Sequence, residues 1–306
     1  MNKYDYGYII RNFEIEDAER IGKIDSVLEL SYRYNGDFKA ENIFCAVNEQ
    51  GDILGVGHLQ PHDTWFLIEN KNMSSDFIYK LWLDITINPE FTVPESVKDD
   101  LMHILVIRAK ELKRNYPEKR INVIKFIDSR DNEEIDYFLS KGFVVYCNNL
   151  VLKRDLTGEI PDVPQIEGIN VINWRMSSEE EKRKYLAAEA SANSGVCWSF
   201  NLLQWYSFGP EWNTFTAFHG QEPVGSTMTW MITDERSSTE NVFVVPDWRK
   251  KGVAKLVITE TLKFLKNNGK KIATLCVYGD NKPAIALYKS LGYKIYYINV
   301  ELGYDL

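Results

Sequence analysis

Apolar and polar positions along this 306-residue chain fall into one succession of patterns that occurs twice. Each half opens with a short apolar run ending in arginine, Tyr8-Ile-Ile-Arg11 and Asn170-Val-Ile-Asn-Trp-Arg175, and continues into acidic, helix-favouring sequence. Two alternating runs follow, starting at Phe44 and at Phe215, each pair joined by a polar turn that contains Gly51 or Gly220, which predicts a hairpin. An apolar strand ending in proline comes next in each half, at 83–89 and 241–246, and then a long amphipathic helix. In the second half Val253, Leu256, Val257, Leu262 and Phe264-Leu265 recur at spacings of three and four and make one apolar stripe. The closest parallel is the last: Phe138-Leu-Ser-Lys-Gly-Phe143 aligns with Tyr288-Lys-Ser-Leu-Gly-Tyr293. Early hairpin strands and a late strand–helix–strand–helix–strand segment predict a duplicated α/β (α+β) unit, each copy a mixed sheet with helices on its faces.

Residues 155–168, DLTGEIPDVPQIEG, hold two prolines and two glycines and predict a linker between a domain at 1–154 and a domain at 169–306. A hydrophobic content of 44% with 26% charged residues suits two substantial cores. The net charge of −8 disfavours nucleic acid as a partner and favours cations, amines and polyamines among them. Charge runs through the first twenty residues, so no signal peptide is expected there. No apolar run approaches the roughly 18 residues of a membrane span, and a cytoplasmic protein without membrane contact is expected. Cys45, Cys147, Cys197 and Cys276 lack paired spacing, and Pro61 breaks the helical spacing of His58 and His62, so no metal site is expected.

Chemistry concentrates in Val242-Phe-Val-Val-Pro-Asp-Trp-Arg-Lys-Lys-Gly-Val-Ala-Lys255, where an apolar strand runs through a turn into a helix. N–H groups at a helix start lack intrahelical acceptors, and the helix dipole adds positive charge, so an anion such as a pyrophosphate binds there. Gly252 permits close backbone approach, Ala254 keeps the next position small, and Arg249, Lys250, Lys251 and Lys255 add formal positive charge.

The Arg-x-x-Gly-x-Ala loop, its Val244-Val245-Pro246 lead-in and Asn281-Lys-Pro-Ala-Ile-Ala-Leu-Tyr-Lys-Ser-Leu-Gly-Tyr293 together resemble the two signature motifs of the GNAT (GCN5-related N-acetyltransferase) superfamily, in the right order. The resemblance covers 168–306 and implies a splayed mixed sheet that takes acetyl-CoA as co-substrate in the splay. It also implies backbone contacts to the pantetheine arm from Val244 and Val245, a pyrophosphate cradle of Arg249, Lys250, Lys251, Gly252, Val253, Ala254 and Lys255, and a contact to the arm from Asn281 beside Ala284. Lys289 either reaches the nucleotide phosphates or is a solvated helix charge.

Tyr288 stands where the family places the acid that protonates the leaving thiolate, and a backbone N–H near Val244 or Val245 would meet the oxyanion. Glu240 is the candidate base if strand alternation turns it towards substrate. In the first half Thr92, Glu95 and Val97 replace Arg249, Gly252 and Ala254, Pro94 removes a donor, and Phe138 replaces Tyr288. Residues 1–154 therefore read as a GNAT-like domain that has lost the cofactor loop, an architecture similar to that of the tandem GNAT mycothiol synthases. Trp198, Trp205, Trp212 and Trp230 either wall the acceptor site or fill the surface between the halves. The expected activity is acetyl transfer to a primary amine of a small molecule or peptide by a monomer or homodimer. A non-catalytic acyl-CoA sensor and transfer from an aminoacyl-tRNA are the alternatives.

Overall fold

A computed structural model describes residues 7–306 as a mixed α/β protein made of two compact units, each a mixed sheet flanked by helices. The first contains β1 (Tyr8–Asn12), α1 (Ala18–Ile24), α2 (Ser26–Tyr34), β2 (Ile43–Asn48), β3 (Ile53–Pro61), β4 (Ile78–Ile87), α3 (Ser96–Arg114) and most of β5 (Arg120–Asp128). Strands β1 to β4 pair antiparallel with their neighbours, and β4 pairs with β5 in parallel over Ile78–Trp82. Helices α1 and α2 cover one apolar cluster through Ile21 and Leu28. Across the sheet, Leu101 and Leu105 of α3 reach Gly55 and Gly57 so closely that a Cβ at Gly57 would meet Leu105 at 2.8 Å.

The second unit contains α4 (Asn132–Ser140), β6 (Val144–Asp155), β7 (Ile169–Asn173), α5 (Glu179–Ala192), α6 (Phe200–Ser207), β8 (Asn213–His219), β9 (Glu222–Thr233) and β10 (Arg236–Val244). It continues with α7 (Val253–Asn267), β11 (Ile272–Tyr278), α8 (Lys282–Ser290) and β12 (Lys294–Asp305) as far as Leu302. Its strands run β12-β6-β11-β10-β9-β8-β7, and of the pairs from β6 to β7 only β10–β11 is parallel. One face packs on α7 and α8 through Val253, Val257, Leu262 and Tyr288. The other packs on α5 and α6 through Tyr185, Leu203, Met228 and Phe243.

The boundary between the units does not follow the 1–154 and 169–306 division read from the sequence. Residues 126–141 and 145–155 belong to the second unit, and Gly303–Leu306 belong to the first. The physical reason is strand pairing. β6, encoded in the first half, runs antiparallel to β11 from Ile272↔Asp155 to Tyr278↔Asn149, while Leu306 N donates to Ile121 O at 3.0 Å. The segment 156–168 holds no helix or strand. It is tied to α7, where Lys263 pairs with Asp162 and the Lys266 ammonium donates to Gly158 O. Ile160 and Ile166 also pack against the α7 core.

Candidate active site

Strands β10 and β11 pair only at Arg236↔Ile272, Ser237↔Ala273 and Ser238↔Thr274, although β10 continues to Val244 and β11 to Tyr278. Beyond Ser238 the two strands splay. Thr239 fastens the apex: its Oγ1 donates to Thr274 O at 3.1 Å and lies 2.7 Å from the Tyr293 hydroxyl, which is then the donor in that bond.

Glu240 sits at the mouth of the splay. Its Oε1 accepts from the Cys276 N–H on β11 at 3.1 Å and from Ser238 Oγ at 2.9 Å. Burial raises its pKa to about 7, against the pull of those two hydrogen bonds. A carboxyl group poised there is a suitable base at neutral pH. The next residues form a bulge: Glu240 pairs with Met228 and Phe243 with Ser226, so Asn241 and Val242 together face one residue of β9. Asn241 adopts φ 48°, a left-handed conformation that asparagine tolerates better than most residues.

Val244 and Val245 separate at this point. The Val245 N–H donates to Val224 O on β9 at 3.0 Å, so it faces away from the splay. Backbone alternation turns the Val244 N–H the other way, towards the splay. Of the two residues expected to offer a donor there, Val244 remains and Val245 does not.

A short turn at Pro246–Trp248 then leads into the loop, where Lys250 has φ 59° and Gly252 φ 91°. Gly252 caps α7, and the first helix-closing bond runs from Leu256 N to Gly252 O at 3.0 Å. The N–H groups of Val253, Ala254 and Lys255 are thus left at the helix mouth, as an anion site requires. A Cβ on Gly252 would meet only Ile166, at 3.7 Å, so backbone conformation rather than space demands glycine. Gly252→Val is therefore expected to raise the KM for acetyl-CoA roughly tenfold, from about 1–2 kcal/mol of left-handed strain, while leaving the amine KM within about twofold. Steady-state kinetics with each substrate varied checks this.

The loop's charges divide. The Arg249 guanidinium donates to Val244 O at 3.2 Å and to Ala192 O at the end of α5, so it ties β10 to α5. These two bonds use Nε and Nη2 and leave its Nη1 donors for another partner. The Lys251 ammonium lies 4.8 Å above the Trp248 ring. Lys250 and Lys255 have no ion-pair partner among the described residues, and they carry the positive charge of the loop.

On α8 the Asn281 side chain caps the helix by accepting from Ala284 N at 3.2 Å, which leaves its amide N–H groups for another partner. Ala284 packs half-buried on the α7 core. Lys289 is exposed in the last turn of α8, where a cation complements the helix dipole, in keeping with the solvated reading. Tyr288 is buried, its ring 5.9 Å from that of Tyr293, and its hydroxyl has no hydrogen-bond partner among the described residues. Burial first, and the Glu240 charge second, raise its pKa well above that of an ordinary phenol.

Two features escaped the sequence reading. The Thr239–Tyr293 fastening has no local signature. Glu189 of α5 is only 2% exposed and accepts from Trp198 N at 3.3 Å. Burial raises its pKa to about 7. Its signal was available, since Tyr185, Glu189 and Ala192 lie at spacings of four and three on the buried stripe of α5. Trp198, Trp212 and Trp230 pack on the α5–α6 face within the second unit. Trp198 stacks on Tyr206 at 4.6 Å, and Tyr206 on Trp230 at 4.8 Å.

The equivalent place in the first unit is blocked. Beyond the last β4–β5 pair, Trp82↔Ile124, an ion pair between Lys125 and Asp84 bridges the two strands. The start of α3 carries Glu95 and Asp99, and the Tyr8 hydroxyl bonds to Ser96 Oγ and Asp100 Oδ2 at 2.7 Å each. Phe138, aligned with Tyr288, is fully buried.

The sheet splays between a bulged strand and its parallel neighbour, above a glycine-led helix, as the resemblance to the GNAT superfamily implies. Residues 174–293 match the model of the Acetyltransferase (GNAT) family. Over 103 residues it is 28% identical to the uncharacterized N-acetyltransferase MJ1207 of Methanocaldococcus jannaschii, a match that covers 32% of this chain and 46% of the relative. The chain thus spans about half the length of that curated relative. Among solved structures, a GCN5-related N-acetyltransferase from Sphaerobacter thermophilus superimposes with a TM-score of 0.64 at 14% identity, covering 98% of this chain and 96% of that one. A tandem GNAT protein from the clavulanic acid biosynthesis pathway gives a TM-score of 0.65 at 13% identity, covering 97% and 98%. At such identities these structures establish a shared fold. No helix among the described residues is long and apolar enough to cross a membrane.

Proposed function

We propose that the chain is an acetyl-CoA-dependent N-acetyltransferase that acts on a primary amine of a small molecule or peptide, with the second unit active. The observation that carries this reading is the vertical alignment of groups along one splay. The helix mouth with Lys250 and Lys255 lies just past the end of β10, and Glu240 lies at the strand's centre, where its charge acts on Tyr288. In this reading the N–H groups of Val253–Lys255 hold the diphosphate, Asn281 holds the pantetheine arm, and Val244 N–H is left for the thioester carbonyl. Acetyl-CoA supplies the activated thioester when bound.

Glu240 accepts the proton of the incoming ammonium, which frees the nitrogen lone pair to form the C–N bond. Val244 N–H donates to the carbonyl oxygen as negative charge gathers there. As the C–S bond breaks, Tyr288 O–H gives its proton to sulfur, so CoA leaves as the thiol. The second nitrogen proton passes through solvent to restore Tyr288, and Glu240 releases its proton to solvent, so one proton leaves per turnover. The first unit, with its splay bridged by Lys125 and Asp84, would bind no CoA and would brace the fold.

The test is release of free CoA thiol from acetyl-CoA during incubation with a panel of primary amines. Amine-dependent release supports the reading. Tight CoA binding without release by any amine would favour the sensor alternative.

A further inference from the structure

Resting on that reading, we propose that Trp198, Tyr206 and Trp230 form the acceptor subsite and select an amine borne on a flat apolar or aromatic body, with Glu189 holding the subsite in place. The three rings make a continuous run, with centroids 4.6 and 4.8 Å apart. All three remain half-buried although they adjoin a packed core, so part of their area stays open to a ligand. The run leads to Glu240, because Trp230 pairs with Ser238 across β9 and β10 and Ser238 Oγ donates to Glu240 Oε1 at 2.9 Å. An ammonium at Glu240 therefore places its carbon body along the rings.

The chemistry of the wall decides the class. Its surface is aromatic, and stacking or edge-to-face packing favours a planar apolar body. A polyamine would need further accessible counter-charges along the wall. Glu189, the other carboxylate beside it, is 2% exposed and turned to the Trp198 N–H, so a second ammonium gains little there. Glu189 is instead a positioning residue. It fixes the start of the α6 segment, where Trp198 precedes the Ser199 cap of α6. Tyr185 on its own helix and Cys197 on the adjoining loop are the titratable neighbours that feel its charge.

The experiment compares phenethylamine, n-hexylamine and spermidine as acceptors for the full-length chain, with CoA affinity measured calorimetrically in parallel. Phenethylamine is expected to exceed spermidine in kcat/KM by tenfold or more, at about three- to tenfold for each ring that the acceptor stacks against. Trp230→Ala should raise the phenethylamine KM about tenfold and leave CoA affinity unchanged. Glu189→Ala should raise the phenethylamine KM without a proportional loss of kcat, and Glu189→Gln, which keeps an acceptor for the Trp198 N–H, should restore it to within about twofold. If Trp230→Ala fails to fold, Trp230→Leu with the same readouts replaces it. A preference for spermidine, or an unchanged amine KM in a Trp230 or Glu189→Ala variant that still binds CoA, overturns this inference alone. Failure of the native chain to bind CoA overturns the function beneath it.

Discussion

Tyr288→Phe is expected to lower kcat by about a hundredfold at pH 7 while acetyl-CoA KM stays within about twofold. Removing a general acid costs typically 10²–10⁴ in rate. The lower end applies because a thiolate is already a fair leaving group and solvent can protonate it. Binding should survive, since the phenyl ring keeps its place against Tyr293 and the α7 core. The hydroxyl is the right one to lose: it is free of other hydrogen bonds among the described residues, and burial and Glu240 keep it protonated well above pH 10. Steady-state kinetics between pH 6 and 9 checks this, and full turnover throughout would remove Tyr288 from the chemistry.

Glu240→Gln should cost about a hundredfold in kcat/KM at pH 8 and abolish the rising limb of the pH–rate profile. In the native protein the rate is expected to rise with pH through about 7, because on the proposed mechanism only the carboxylate form accepts a proton from the substrate ammonium. Gln has no such transition. The same shift fixes a stability effect. The folded state holds the Glu240 proton at a pH where the unfolded chain has released it, so this group's contribution falls as pH rises from about 4.5 to about 7. The melting temperature of Glu240→Gln should therefore fall less across that window than that of the native chain. A profile and melting curve parallel to the native ones would contradict the assignment.

The loop from Val244 to Lys255 was legible because it is local: proline, glycine and small residues at fixed spacing dictate a turn, and the helix that follows supplies the N–H groups. The side chains around it were less so. Formal charge made Arg249 a phosphate ligand, yet which carbonyls lie within reach of a guanidinium is a tertiary fact, and here Val244 O and Ala192 O hold two of its donors. Periodicity likewise offers Val244 and Val245 equally; only the pairing of Val245 N–H with Val224 O tells them apart. The exchange that puts β6 beside β11 was hidden for a related reason. In a duplicated chain both halves end in a similar helix–turn–strand, and the pattern of one strand does not say which copy of its partner it joins. Glu189 was overlooked because a glutamate in the acidic α5 passes for surface charge until its spacing from Tyr185 and Ala192 is counted.

Equilibrium dialysis of CoA against the purified chain and against Gly252→Val tests the central claim most directly. One bound CoA per native chain, with affinity about tenfold weaker in the variant, is the outcome required by a diphosphate cradle at the start of α7 and a blocked counterpart at α3. Two molecules per chain, none, or equal affinity in both proteins would contradict it.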